Sequence, residues 1–156
     1  MPFYLTWILV LIADQLTKLI VRLHLPEGET VFFWGLELTH YENAGMAFSL
    51  FQGYARLFAA VAVIFVIGIL YFRKHEPKRG ALVDVALGFL AGGAIGNAID
   101  RIVFGRVTDF LVSPSGKGIL NLADQAINVG IVLLAMGGVI HYVAGKARAR
   151  ARQGKG

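Results

Sequence analysis

The sequence predicts an all-α membrane protein of four transmembrane helices, with a small amount of β-structure on its outer face. Three observations predict it. Of 156 residues, 56% are hydrophobic and only 16% charged, whereas a soluble domain carries about 25% charged residues. The apolar residues arrive in four long blocks, each about long enough to cross a bilayer. The basic residues sit beside those blocks, as the positive-inside rule places them.

The first block runs from about residue 3 to 23. It lacks a positive start, is followed by no small-residue cleavage site and exceeds the length of a signal-peptide core, so it reads as a retained span. The second covers about 54–72, the third 81–103 and the fourth 123–144. No linker, repeat or soluble segment separates them, so 1–156 is one integral membrane domain. Residues 145–156 read as a basic, disordered tail near anionic headgroups.

Charge sets the topology. Arg73, Lys74, Lys78 and Arg79 lie between the second and third spans, and Lys146, Arg148, Arg150, Arg152 and Lys155 follow the fourth. Both segments fall on one side of a four-span protein, the cytoplasmic side, together with the N-terminus. Segments 24–53 and 104–122 then lie outside, although the second carries Arg106 and Lys117. The net charge of +5 is distributed along the membrane edges rather than on a face with interleaved aromatics, which argues against nucleic acid as a partner.

The stretch 30–50, TVFFWGLELTHYENAGMAFSL, is aromatic and β-branched. It predicts short strands at the outer interface, with Trp34 and Tyr41 in the aromatic belt. In the third span, Gly88, Gly92 and Gly96 recur every four residues, so they share a face on which a neighbouring helix approaches closely.

An ionisable residue inside a membrane is costly, so each needs a partner or a task. Asp14, Lys18 and Arg22 share one face of the first span, where Asp14 and Lys18 are spaced to pair. Asp100 ends the third span beside Arg101, Asp109 follows in VTDFL, and Asp124 opens the fourth span in NLADQAIN. Singly, Asp124 reads as a helix-start acid and Asp109 as a solvated loop charge. Together they are two carboxylates at one membrane face in apolar surroundings, where one pKa rises and an acid–base pair able to hydrolyse a peptide becomes available. On the residues alone, Asp100 with Asp124 is an equally legal pair, and a proton-relay or small transporter protein would use the same acids. The chain has no cysteine, its four histidines are scattered, and no HExxH, serine-nucleophile or phosphate-loop motif occurs. Neither a metal site nor a cofactor is expected.

The blocks DQLTK (14–18), ENAGMAFS (42–49), GGAIGNAIDRIVFGRVTDF (92–110) and NLADQAIN (121–128) resemble those of the lipoprotein signal peptidases, also called signal peptidase II, in order and spacing. The resemblance covers most of the chain between Asp14 and Asn128. It implies a bacterial inner-membrane aspartic endopeptidase that removes signal peptides from diacylglyceryl-modified prolipoproteins, cutting before the lipidated cysteine. It implies Asp109 and Asp124 as the catalytic pair. It implies Asp14, Lys18, Asn43, Gly93, Asn97, Asp100, Arg101, Asn121 and Ala123 as supporting or substrate-binding residues. It also implies a β-cradle and a short interfacial helix, placed either after Gly53 or after Phe104. The expected partners are a lipid-modified prolipoprotein and membrane lipids, the enzyme itself being a monomer. Arg101 is expected to pair with Asp100 or hold a loop carbonyl, and Lys18 to neutralise Asp14.

Overall fold

A computed structural model of the chain describes residues 1–45, 53–77, 79–114 and 118–153. Four helices are long and apolar enough to cross a membrane. They are α1 (Pro2–His24), α2 (Ala55–His75), α3 (Ala81–Val103) and α4 (Leu122–Gln153). Among the described residues, four strands join them at one end: β1 (Thr30–Phe33), β2 (Leu36–Asn43), β3 (Val107–Val112) and β4 (Ile119–Leu120). They form one antiparallel sheet in the order β1-β2-β3-β4.

Local chemistry sets the boundaries. Pro2 starts α1, where its missing N–H costs nothing. Leu25 leaves the helix in an extended conformation because Pro26 follows it. Trp34 and Gly35 both have positive φ, at 52° and 80°, and join β1 to β2 across the Phe33–Leu36 pair. Two left-handed residues are what a tight hairpin turn demands. Gly35 takes that conformation freely, but the bulky Trp34 does so under strain. Gly105, at φ 72°, ends α3 and turns the chain into β3.

α3 is the centre of the bundle and packs against α1, α2 and α4. The glycine stripe explains how. A Cβ on Gly88 would lie 2.8 Å from the Phe3 carbonyl oxygen, and one on Gly92 would lie 2.7 Å from Val10. One on Gly96 would collide with the Asp14 carboxylate. The stripe is therefore the seat of α1. Gly93 serves α4 in the same way, against Ala123 and Ile127, and Gly130 of α4 accepts Leu90. Away from the sheet, Phe3, Val66, Ile69, Leu87 and Leu90 form the apolar core. Arg73 stacks 3.7 Å from the Phe3 ring centroid and pairs with Asp84, which Arg79 also holds. Those contacts clasp α1, α2 and α3 at the end opposite the sheet.

Two expectations need correction. The chain beyond residue 144 is helical through Gln153 rather than a disordered tail, because alternating Ala, Arg and Lys are strong helix formers. The interfacial helix is seen at neither expected place. α2 begins at Ala55, directly after Gly53 and Tyr54, and the chain after Phe104 enters β3. Residues 46–50 of the predicted outer strand segment lie outside the described residues. Two of the four strands also come from the 104–122 segment, where no strand was expected: Phe110 and Leu111 pack there with Val21, Leu25 and Leu38.

Candidate active site

The polar residues of α1, α3 and α4 converge beneath the sheet. Lys18 Nζ lies 2.9 Å from Asp14 Oδ2 and 3.1 Å from Asp100 Oδ2, and donates to Asn97 Oδ1 at 2.9 Å. All three charged side chains are fully buried. Arg22 adds a second cation, 3.0 Å from Asp100 Oδ1. Two cations thus face two carboxylates, and the remaining acceptor sites are filled. The Ala123 backbone N–H donates to Asp14 Oδ1 at 2.9 Å, and Gln15 Nε2 donates to Asp14, Gly96 and Asp100. Buried charges are tolerable only when paired and hydrogen-bonded in this way. Ala123 and Gly93 act through their smallness: Gly93 admits the Ala123 carbonyl, which lets that turn of α4 reach Asp14.

Asp109 and Asp124 sit beside this group, and among the described residues neither has an ion pair of that kind. Asn121 joins them. Its Nδ2 donates to Asp109 Oδ1 at 2.6 Å, and its backbone N–H donates to Asp124 Oδ2 at 3.2 Å. The Asp124 N–H returns a bond to Asn121 Oδ1 at 2.9 Å. This is a reciprocal capping box that starts α4, so Asn121 is the cap and Asp124 its third-position partner. Asn97 donates to the other oxygen of Asp124 at 2.8 Å, and Asn43 to the other oxygen of Asp109 at 3.0 Å. Each carboxylate is held at both oxygens by neutral donors.

Asp109 is almost completely buried. Burial is the main cause that pushes its pKa up from the usual carboxylate range to about 7. The nearby charge of Asp124 raises it further, while the amides of Asn43 and Asn121 and the charge of Lys18 act the other way. A carboxyl with such a pKa exchanges its proton near neutral pH, where general acid–base chemistry is most effective.

The catalytic and supporting residues named from the resemblance all lie in this connected group. Arg101 takes the second of its two expected roles: it donates to the Gly45 carbonyl at 3.4 Å and to the Asn97 carbonyl at 3.3 Å. Asp100 is instead held by Lys18 and Arg22. The sequence reading missed Gln15, Thr108, Glu42 and His40. Thr108 and Glu42 bond at 2.8 Å, and His40 lies 3.0 Å from Glu42. The available signal was position: Gln15, Glu42 and Thr108 each adjoin a residue already singled out.

The overall arrangement matches solved structures. One described as a bacterial membrane enzyme superposes with a TM-score of 0.83 at 28% identity, covering 91% of this chain and 89% of its own. A second with the same description gives 0.77 at 30% identity, covering 85% and 88%. The fold and its polar end thus define a polytopic membrane enzyme. The signal peptidase (SPase) II family model matches residues 6–140. The lipoprotein signal peptidase of Halalkalibacterium halodurans is 37% identical over 139 residues, covering 86% of this chain and 89% of that protein. The one from Moorella thermoacetica is 38% identical, with coverage of 86% and 90%. The chain belongs to the signal peptidase II family, a family of aspartic peptidases. The transporter and relay readings are set aside.

Proposed function

We propose that this chain removes the signal peptide from diacylglyceryl-modified prolipoproteins, cutting before the lipidated cysteine, with Asp109 and Asp124 as a metal-free catalytic pair. The observation that carries the assignment is the Asn121 bridge, which places one donor on each carboxylate. Asp100 is the competing partner, and its two cations tie it to a structural role instead.

Asp109, with its raised pKa, holds the proton in the resting enzyme. Asp124, ionised, takes one proton from water while the water oxygen bonds to the scissile carbonyl carbon. Asp109 gives its proton to the amide nitrogen and the C–N bond breaks. Water supplies OH to the signal peptide and the pair supplies H to the new amine. The pair is left with its single proton on Asp124, and transfer back to Asp109 resets it. Asn43, Asn97 and Asn121 fix the orientation of the two carboxyls, and Arg101 holds the chain after β2 over the site.

The enzyme is proposed to lie in the bacterial inner membrane with both termini in the cytoplasm and the sheet outside. The basic residues Arg73, Lys74, Arg79 and Lys146 support this, since they lie away from the sheet. The scissile bond of a membrane-anchored substrate is then met at the outer interface. A single copy holds the whole proposed site, which supports a monomer surrounded by lipid. The test is cleavage of a diacylglyceryl-modified prolipoprotein by the purified chain, by Asp109→Asn and by Asp124→Asn, with and without a chelator. Activity that resists the chelator and is lost in each folded variant is expected. Activity that survives Asp109→Asn but not Asp100→Asn overturns the choice of pair.

A further inference from the structure

The β2–β3 ladder has two faces with different duties. On one face Asn43 donates to Asp109. Alternate strand residues point to opposite faces, so their neighbours Glu42 and Thr108, which are directly paired in register, point to the other. There Glu42 is a hub. Its carboxylate is almost fully buried, with 6% of the side chain exposed. Oε1 accepts from the Thr108 hydroxyl at 2.8 Å and lies 3.0 Å from His40 Nε2 and 3.9 Å from Arg22 Nε. Oε2 lies 3.3 Å from Arg106 Nε. The Thr108 hydroxyl in turn accepts from Arg22 Nε at 2.7 Å, and Arg22 continues to Asp100. The Thr108 backbone N–H donates to Asp100 at 3.3 Å. At the other side of the hub, His40 Nδ1 lies 2.6 Å from the carbonyl of Leu25, where α1 ends.

We infer that Glu42 is a positioning residue for Asp109. Through Thr108 and Arg22 it locks β3 onto α1 and α3, so that the residue after Thr108 presents its carboxyl to Asn121 in one place. Nothing in the proposed chemistry requires Glu42 itself, which lies on the face of the ladder away from Asp109. The need for a lock follows from the site's construction: Asp124 stands on a membrane helix, but Asp109 stands on a six-residue strand that meets the bundle at α1 and α3. Catalytic groups displaced by about 1 Å can lose a hundredfold in rate, and a strand held by hydrogen bonds on its back face resists such displacement.

The inference rests on Asp109 being catalytic, so its test carries Asp109→Asn as a control. The purified chain would be assayed for kcat and KM on a diacylglyceryl-modified prolipoprotein, well below each variant's thermal midpoint. Glu42→Ala and Thr108→Val are expected to lower kcat about tenfold with KM unchanged. Thr108→Ser, which restores the hydroxyl, is expected to return kcat to the wild-type value. The double variant Glu42→Ala/Thr108→Val should fall no further than the singles, because both break one lock. Should Glu42→Ala fail to fold, the Thr108→Val and Thr108→Ser pair decides alone, since both substitutions keep the strand's shape. Wild-type kcat in folded Thr108→Val, or a loss confined to KM, overturns the positioning role while an inactive Asp109→Asn leaves the catalytic pair standing. Full activity in Asp109→Asn removes the pair and this inference together.

Discussion

Asn121 Nδ2 lies 2.6 Å from Asp109 Oδ1, joining the first residue before α4 to the middle of β3. The same side chain caps α4 through its oxygen and is completely buried. One residue therefore serves the helix start and the site. Replacing it with alanine removes a cap worth about 1 kcal/mol and leaves buried polar partners unsatisfied at about 1–3 kcal/mol. It also removes a bond that lowers the Asp109 pKa, so that pKa rises further. Asn121→Ala is expected to lower the thermal midpoint and to move one limb of the pH–rate profile to higher pH. An unshifted profile would refute the link between the two carboxyls.

The raised pKa of Asp109 makes stability depend on pH in a definite direction. The folded chain keeps the proton up to about pH 7, whereas the unfolded chain releases it near the ordinary aspartate value of 3.8. The contribution of Asp109 is thus full below about pH 4 and is lost as pH rises through 7, over a range on the order of 4 kcal/mol. Asp109→Asn cannot ionise. Its thermal midpoint relative to wild type should rise steadily between pH 4 and pH 8, and a constant difference across that range would contradict the buried, protonated carboxyl.

Lys18 separates structural from chemical roles. Removing its ammonium leaves Asp14 and Asp100 buried side by side, a defect worth about 3–5 kcal/mol. Lys18→Ala is expected to lower stability strongly and activity as a consequence. Loss of cleavage with an unchanged unfolding midpoint would assign Lys18 a direct part in the reaction.

The glycines of α3 offer a graded test of packing. Gly96→Ala drives a methyl group into the Asp14 carboxylate, and Gly93→Ala drives one into the Ala123 carbonyl. Overpacking of this kind costs about 1–3 kcal/mol. Gly68 of α2 faces open space, so Gly68→Ala should be neutral or slightly stabilising, since alanine favours helix. Detergent-based thermal unfolding should place Gly96→Ala and Gly93→Ala below the wild-type midpoint, with Gly68→Ala alone at or above it.

Much of this protein was legible before any coordinates. The four spans, the α1 face of Asp14, Lys18 and Arg22 and the close-packing stripe on α3 all follow from local periodicity and from the penalty for charge in hydrocarbon. Such features depend on neighbours three or four residues apart, so a single chain displays them directly. The proposed choice of Asp109 over Asp100 did not follow from pattern alone; the family resemblance implies it. What supports it is that Asp100 receives the cations Lys18 and Arg22, which arrive from α1, more than seventy residues away in sequence. Strands β3 and β4 were hidden for a related reason, since a short strand is stabilised by the ladder it joins and not by its own residues. Glu42 drew no reading of its own in the sequence, because only the fold brings Thr108, Arg22, His40 and Arg106 to its carboxylate. The sequence by itself determined the spans and the residues that had to be accounted for inside them. Only the tertiary structure decided which of those charges cancel one another and which pair is left with neutral donors and an available proton, because pairing in a buried site is a matter of distance across elements and not of spacing along one.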